Sequence, residues 1–207
     1  MSRERLIVVL EEAQRRGLLG PGPVEAHIDH AQGFSRVAAE LGPDGRPGLD
    51  LGTGGGVPGL LLAVADPERE WTLLDSRDRC AQFVRGAVAE LDLRERVTVV
   101  LGRAEEVGRD AAHRGRYGVV VARGFGPPAV TAECAAPLLA VGGHLVVSEP
   151  PNSTGIRWPA EQLRKLGLSP NRLVSLPSAT FAVLEQVETT SNTYPRRVGA
   201  PRKRPLF

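Results

Sequence analysis

The chain has only two cysteines, Cys80 and Cys134, far apart and outside any C-x-x-C pair, which argues against both a disulfide framework and a thiolate metal site. Both fall on predicted helices and read as core residues. No apolar run approaches the roughly 20 residues that a membrane-crossing helix needs. The start, Met1-Ser2-Arg3-Glu4-Arg5, leads into five apolar residues before Glu11-Glu12, too few for a secretory signal, so a cytoplasmic location is expected. None of the four histidines, His27, His30, His113 and His144, belongs to an H-E-x-x-H motif. His27 and His30 form an i, i+3 pair without a third ligand, so they read as part of a solvated helix face and no metal is expected. Lysine is scarce, with Lys165 and Lys203 alone, so arginine carries most of the positive charge.

What is present fits one domain. With 207 residues and 42% hydrophobic content, a chain of this size buries about 70% of its unfolded surface without staples. The formal net charge of +2 is unevenly spread. From residue 188 onward Arg196, Arg197, Arg202, Lys203 and Arg204 face only Glu188, which leaves residues 1–187 net negative. The last 20 residues read as a Pro- and Arg-rich extension with little core of its own.

Residues 4–16 place Leu6, Val9, Leu10 and Ala13 at helical spacing, with Gly17 as a C-cap. A second helix is predicted from Pro23 towards Leu41, with Gly33 as an interior weak point, and Pro43-Asp44-Gly45-Arg46-Pro47 ends it in a turn. From Leu49 short apolar runs alternate with helical stretches, the pattern of a parallel sheet covered on both faces. Strands are predicted near 49–52, 71–75, 97–101, 117–122 and 143–148. Helices lie between them, the clearest over 77–91, with another over 159–166. The runs 172–176 and 181–187 flank Pro177-Ser178-Ala179 as a hairpin, hence antiparallel pairing at one edge.

The run Asp50-Leu51-Gly52-Thr53-Gly54-Gly55-Gly56-Val57-Pro58-Gly59, followed by Leu73-Leu74-Asp75-Ser76, describes a nucleoside-cofactor site at the end of a parallel sheet. The glycines also satisfy the G-x-G-x-x-G pattern of dinucleotide binding. Asp50, expected at the mouth of the site, would repel a pyrophosphate and favour a cationic ligand. S-adenosylmethionine, with a sulfonium and an ammonium and no phosphate, suits that turn better. Asp75 is expected to accept hydrogen bonds from ribose hydroxyls. Five parallel strands followed by a hairpin give a Rossmann-like α/β fold of the class I methyltransferase type. That is a mostly parallel seven-stranded sheet with a C-terminal antiparallel hairpin, preceded by N-terminal helices.

After the third strand, Ala104 and Glu105 are placed to meet an adenine amine. After the fourth, Ala122-Arg123-Gly124-Phe125-Gly126-Pro127-Pro128 should border the methyl acceptor. This loop lacks the Asn-Pro-Pro-aromatic sequence of exocyclic-amine methylation and the Pro-Cys of pyrimidine C5 attack. It offers no general base, and a ring nitrogen with an exposed lone pair requires none. Arg123 is expected to orient the acceptor by hydrogen bonding, as Arg does to guanine.

On these residues the chain resembles the bacterial 16S ribosomal RNA guanine-N(7) methyltransferase family, over roughly residues 49–148 and the tail. The turn with its Pro58-Gly59 is similar to the family's cofactor turn. Gly102-Arg103-Ala104-Glu105-Glu106 and Ala122-Arg123-Gly124-Phe125 resemble its adenine-side and acceptor-side loops. The tail from Tyr194 to Leu206 resembles the family's most specific segment. The resemblance implies cofactor contacts at Gly52, Val57, Ala104, Glu105 and Arg123, beside Asp50, Thr53, Gly54, Gly56 and Asp75 from the turn and strand. Its expected orienting role makes Arg123 the catalytic candidate, and the resemblance implies RNA contacts from Arg196, Arg197, Arg202, Lys203 and Arg204. The substrate implied is 16S rRNA or the small ribosomal subunit, with neither membrane nor metal as partner. The chain departs from the family in lacking an N-terminal Asn-Leu-Thr element. It also has Glu149-Pro150 where members carry Lys-Gly, a carboxylate expected to weaken RNA binding.

The chain divides into N-terminal helices over 1–42, a methyltransferase domain over 43–188 and a basic tail over 189–207. The oligomeric state stays open, with a monomer the simpler expectation. Methylation of a small molecule or protein is the alternative, motivated by the negative body and Glu149. A non-catalytic RNA-binding protein on the same fold is a third reading, and a nicotinamide enzyme a fourth.

Overall fold

The computed structural model describes residues 3–42 and 45–207, the side chain of Asn171 aside. Pro43 and Asp44 of the predicted turn lie outside the described residues. Two helices, α1 (Arg3–Arg15) and α2 (Val24–Glu40), precede alternating strands and helices. These run β1 (Gly48–Leu51), α3 (Gly59–Ala65), β2 (Trp71–Asp75), α4 (Asp78–Glu90), β3 (Val97–Leu101), α5 (Ala104–Val107), β4 (Tyr117–Ala122), α6 (Pro128–Ala135) and β5 (Leu139–Glu149). Then follow α7 (Ala160–Arg164), β6 (Leu168–Leu176), β7 (Ala179–Gln186) and a last turn of helix, α8 (Ala200–Lys203). The strands form one seven-stranded sheet in the order β3-β2-β1-β4-β5-β7-β6. All neighbours from β3 to β5 pair in parallel, and β7 runs antiparallel to both β5 and β6. The order reverses between β1 and β4, which opens a crevice at the carboxyl ends of those strands.

Period-two alternation splits the core into two layers. Val119 and Val121 of β4 and Leu73 of β2 pack with α1, α2, α3 and α4. Leu49 and Leu51 of β1, Val120 and Ala122 of β4, and Val147 of β5 pack with α5, α6 and α7. Both cysteines are buried, Cys80 in α4 and Cys134 in α6. Burial pushes both thiols up, as a core role requires.

Three elements differ from the sequence expectation. β5 begins at Leu139, four residues early, because the strand continues through Gly142-Gly143. β6 begins at Leu168 although Pro170 lies within it. It is one of the sheet's two edge strands and its register shifts between Pro170 and Arg172, where a missing N–H is tolerated. Gly33 is a contact point rather than a weak point. A Cβ there would lie 2.6 Å from the Phe181 ring of β7, so glycine lets α2 lie against the sheet.

The tail is folded, contrary to its composition. Tyr194, Leu206 and Phe207 pack against the second core layer. The Arg114 guanidinium donates to the carbonyls of Thr190, Ser191 and Tyr194 at 2.7, 3.1 and 2.9 Å. Arg196 meets the fully buried Glu133 carboxylate through Nε at 2.8 Å and Nη2 at 2.6 Å, and its backbone N–H joins at 2.9 Å. A Pro- and Arg-rich segment thus finds its order in polar partners on α6 and in the stretch between α5 and β4.

Candidate functional site

The glycine turn leaves β1 and is fixed by two buried carboxylates. The Gly59 N–H donates to Asp50 Oδ2 at 2.9 Å and the Gly54 N–H to Asp75 Oδ2 at 2.8 Å. Gly52 adopts φ +78°, and a Cβ there would meet the Phe125 ring at 2.7 Å, so both its conformation and its neighbour demand glycine.

Beside the turn lies a cavity of about 470 Å³ at the carboxyl ends of β1, β2, β3 and β4. Gly52, Asp75, Ala104, Glu105 and Phe125 wall it, and Arg202 reaches it from the tail. Of the residues expected to contact the cofactor, Gly52, Asp75, Ala104 and Glu105 are brought together in this lining. Asp50, Thr53, Gly54, Gly56, Val57 and Arg123 lie outside that lining.

Asp50 is not at the mouth. It points to the layer of α2 and α3, opposite to Leu49 and Leu51, and is 1% exposed. Burial, which the Thr53 hydroxyl and the Gly59 N–H offset only in part, pushes its carboxyl up to about 6. The buried Thr53 hydroxyl lies beside it and favours the charged form, though less than burial opposes it. Asp50 shapes the turn from beneath.

Asp75 is already engaged. Oδ1 accepts from the Arg77 backbone N–H at 2.9 Å and from its Nε at 3.1 Å, while Arg77 Nη2 lies 3.2 Å from Oδ2. Burial would raise this carboxyl, but the bonds from Arg77 and Gly54 outweigh it and hold it below the usual range. The Arg77 side chain is half exposed, so it can leave Asp75 to a ribose without unfolding anything.

Glu105 is 6% exposed and accepts the Gly199 N–H at 2.9 Å. Burial again favours the neutral acid, and the Gly199 N–H with the neighbouring Arg103 reverses the balance. The carboxylate expected to meet an adenine amine also fastens the tail to the cavity wall.

Arg123 is placed differently from the expectation. Counting along β4, it falls in step with Val119 and Val121, the layer of α2, and so turns away from the acceptor loop's open side. Its Nη2 donates to His27 Nδ1 at 2.5 Å, and Nη1 is buried without a partner. Because Arg can only donate, Nδ1 of His27 accepts and Nε2–H donates to the Gly20 carbonyl at 3.1 Å. His30 binds Ser148 Oγ of β5 at 3.0 Å, and burial with Arg123 and His27 nearby lowers its pKa to about 4. These histidines are packed side chains that join α2 to the sheet rather than a solvated face. Among the described residues, no group of three His, Cys, Asp or Glu is placed to hold a metal.

The tail cations also divide. Arg196 is committed to Glu133, whereas Arg197, Arg202, Lys203 and Arg204 are exposed. Glu149 is compensated. Its buried carboxylate pairs with Arg157 at 3.0 Å and accepts Ser153 Oγ at 2.6 Å, so it presents no bare negative charge to RNA.

Comparison with known proteins bears on the fold and the family. A protein from Corynebacterium glutamicum superposes with a TM-score of 0.63 at 19% identity, over 90% of this chain and 92% of its own. A methyltransferase from Geobacter sulfurreducens gives 0.61 at 13% identity, over 89% and 91%. The fold is that of the Rossmann-like methyltransferases. The ribosomal RNA small subunit methyltransferase G of Deinococcus radiodurans is 45% identical over 166 residues, 77% of this chain and 65% of that protein. Its counterpart in Roseiflexus castenholzii is 38% identical over 168 residues, 77% and 70%. The chain therefore spans about two thirds of the length of these relatives. With residues 7–150 matching the model of rRNA small subunit methyltransferase G, the chain belongs to that family.

Proposed function

We propose that this chain transfers a methyl group from S-adenosylmethionine to nitrogen-7 of a guanine in 16S ribosomal RNA. The observation that carries this reading is the cavity in which the glycine turn, Asp75, the Ala104-Glu105 pair and the Phe125 loop converge, in a chain of this family.

The residues present fit the cofactor. Two carboxylates in the cavity wall, Asp75 and Glu105, are acceptors suited to ribose hydroxyls and an adenine amine. Val130 and Cys134 supply apolar wall for a base, and Gly52 leaves the turn free of side chain. When bound, S-adenosylmethionine supplies an electrophilic methyl on a sulfonium.

The chain's own part is alignment. Guanine N7 carries a lone pair and loses no proton on methylation, so no general base is required and near-attack positioning supplies the rate. The loop that must do this is anchored at both ends. Arg123 is tied to His27, and the Thr131 hydroxyl of α6 donates to the Gly126 carbonyl at 3.1 Å. On this reading Arg123 is a positioning residue. The exposed cations Arg197, Lys203 and Arg204 line a separate hollow with Arg109, while Arg202 lines the cavity itself, and these tail cations are offered to the RNA backbone.

The test is transfer of labelled methyl to small ribosomal subunits that lack the modification, followed by nucleoside digestion. Label in 7-methylguanosine is the expected result. Label in another nucleoside, or none despite calorimetric binding of the cofactor, overturns it.

A further inference from the structure

Apart from the cofactor cavity, the tail walls a hollow of about 910 Å³ whose lining includes Arg109, Arg196, Arg197, Lys203 and Arg204. Arg109 comes from outside the tail, in the stretch between α5 and β4. Arg196 is committed to Glu133, and the other four cations are exposed. Among the described residues none of those four has an ion-pair partner. Nor is there a carboxylate among the described residues that line the hollow. The result is a concave surface of one sign, which focuses its field on an anion.

The framework beneath these charges is fixed, which separates the hollow from a loose basic extension. Arg114 donates to the Gly108 carbonyl at 2.9 Å and to the Tyr194 carbonyl at 2.9 Å, tying the backbone next to Arg109 to the backbone of the tail. Gly108 permits that approach, because a Cβ there would stand 3.2 Å from Pro195 Cγ. Arg196 Nη2 donates to the Arg204 carbonyl at 2.7 Å and closes the segment that carries Arg197 and Lys203 into a loop. The bond from the Gly199 N–H to Glu105 pins the middle of that loop to the wall of the cofactor cavity. Little backbone is left to order when an anion arrives, so little of the binding energy is lost to ordering it.

Size and position name the anion. The volume stands at the upper end of the 300–1,000 Å³ of ordinary ligand pockets, room for more than one phosphate. Three of the four free cations are guanidinium forks, which match phosphate oxygens two at a time. The hollow also adjoins the cofactor cavity. Arg202 lines the cavity and Lys203, the next residue, lines the hollow, so a single turn of α8 stands between the two spaces. We propose that this hollow holds the phosphates of the RNA strand that flank the methylated guanine, with Arg109 as the contact that the tail does not supply. The inference rests on the ribosomal RNA reading above and deepens it. It gives RNA a preformed docking surface made of two chain segments rather than a basic tail alone.

The experiment is filter binding of the intact protein and its variants to an unmodified 16S rRNA fragment across a salt series. One cation on single-stranded RNA contributes about 0.7 to the log–log slope. Arg109→Gln is expected to flatten the slope by about 0.7, as much as a tail cation does, with cofactor affinity by calorimetry unchanged. Arg109→Lys keeps the charge and is expected to keep the slope. Arg85→Gln, which removes an exposed cation of α4 that does not line the hollow, is expected to change nothing. Ethylation of single phosphates then places the strand. The phosphates whose ethylation weakens binding of the intact protein should flank the target guanine, and Arg109→Gln should become indifferent to at least one of them. An unchanged slope in Arg109→Gln, interfering phosphates remote from that guanine, or competition by polyglutamate as strong as by RNA of equal charge overturns the assignment. Absence of 7-methylguanosine from the products of the intact protein removes the N7 reading instead, and the slope of Arg109→Gln still decides the hollow.

Discussion

The glycine turn and the C-terminal tail reach the same cavity from distant parts of the chain, and different forces hold them there. The turn is fixed by contacts close in sequence. The Gly59 N–H reaches back to Asp50, the Gly54 N–H reaches Asp75 on the adjacent strand, and the Gly56 N–H donates to the Thr53 carbonyl at 2.8 Å. The tail is fixed by contacts across 63 to 94 positions of sequence, Arg196 to Glu133 and Gly199 to Glu105. Backbone geometry makes the first, and buried charge makes the second. The two therefore fail in different ways. A turn of this kind tolerates a change of charge better than a change of shape, and the tail the reverse.

Breaking the tail should produce the largest effect. Arg196→Met leaves the Glu133 carboxylate buried and unpaired, and a loss of about 3 to 5 kcal/mol in urea unfolding is expected. Glu133→Gln added to Arg196→Met should restore part of it. A tail that merely hangs from the domain would leave the midpoint where it was.

The turn should answer to pH instead. Asp50 takes up a proton near pH 6 in the folded protein and near 3.8 when unfolded. Its contribution is therefore fully favourable below 3.8 and is lost as pH rises through 6. Asp50→Asn removes that dependence and keeps an acceptor for Gly59. The unfolding free energy of the parent minus that of Asp50→Asn should grow by about 2 to 3 kcal/mol as pH falls from 7 to below 4. A flat difference would mean that the carboxylate is solvated.

The smallest effect sharpens the division within the tail. With Arg196 committed to Glu133, four cations remain to release counterions from single-stranded RNA. The tail's share of the log–log salt slope should then be about −2.8. Arg197→Gln or Lys203→Gln should each flatten it by about 0.7, read by filter binding across a salt series. A five-cation slope would place Arg196 on RNA.

The same contrast explains what could be read in advance. The strands, the turn and the Asp75, Ala104 and Glu105 positions follow from local rules of period, glycine and strand end, and they were legible. Arg123 was legible in principle, because two-residue alternation from Val119 and Val121 points it at α2, but a loop-based reading assigned it to the acceptor. Asp50 follows the same parity, opposite to Leu49 and Leu51. The order of the tail was not legible from composition, because Arg-rich segments with little apolar content fold only when buried carboxylates such as Glu133 and Glu105 wait elsewhere. The packed state of His27 and His30 depends likewise on Arg123 and Ser148, about 100 residues away.

Phe125 carries one further consequence. Its ring rests on Gly52 and lines both the cavity at the strand ends and a second hollow on the far side of the Gly124-Phe125-Gly126 loop, so shortening this one side chain would widen both at once.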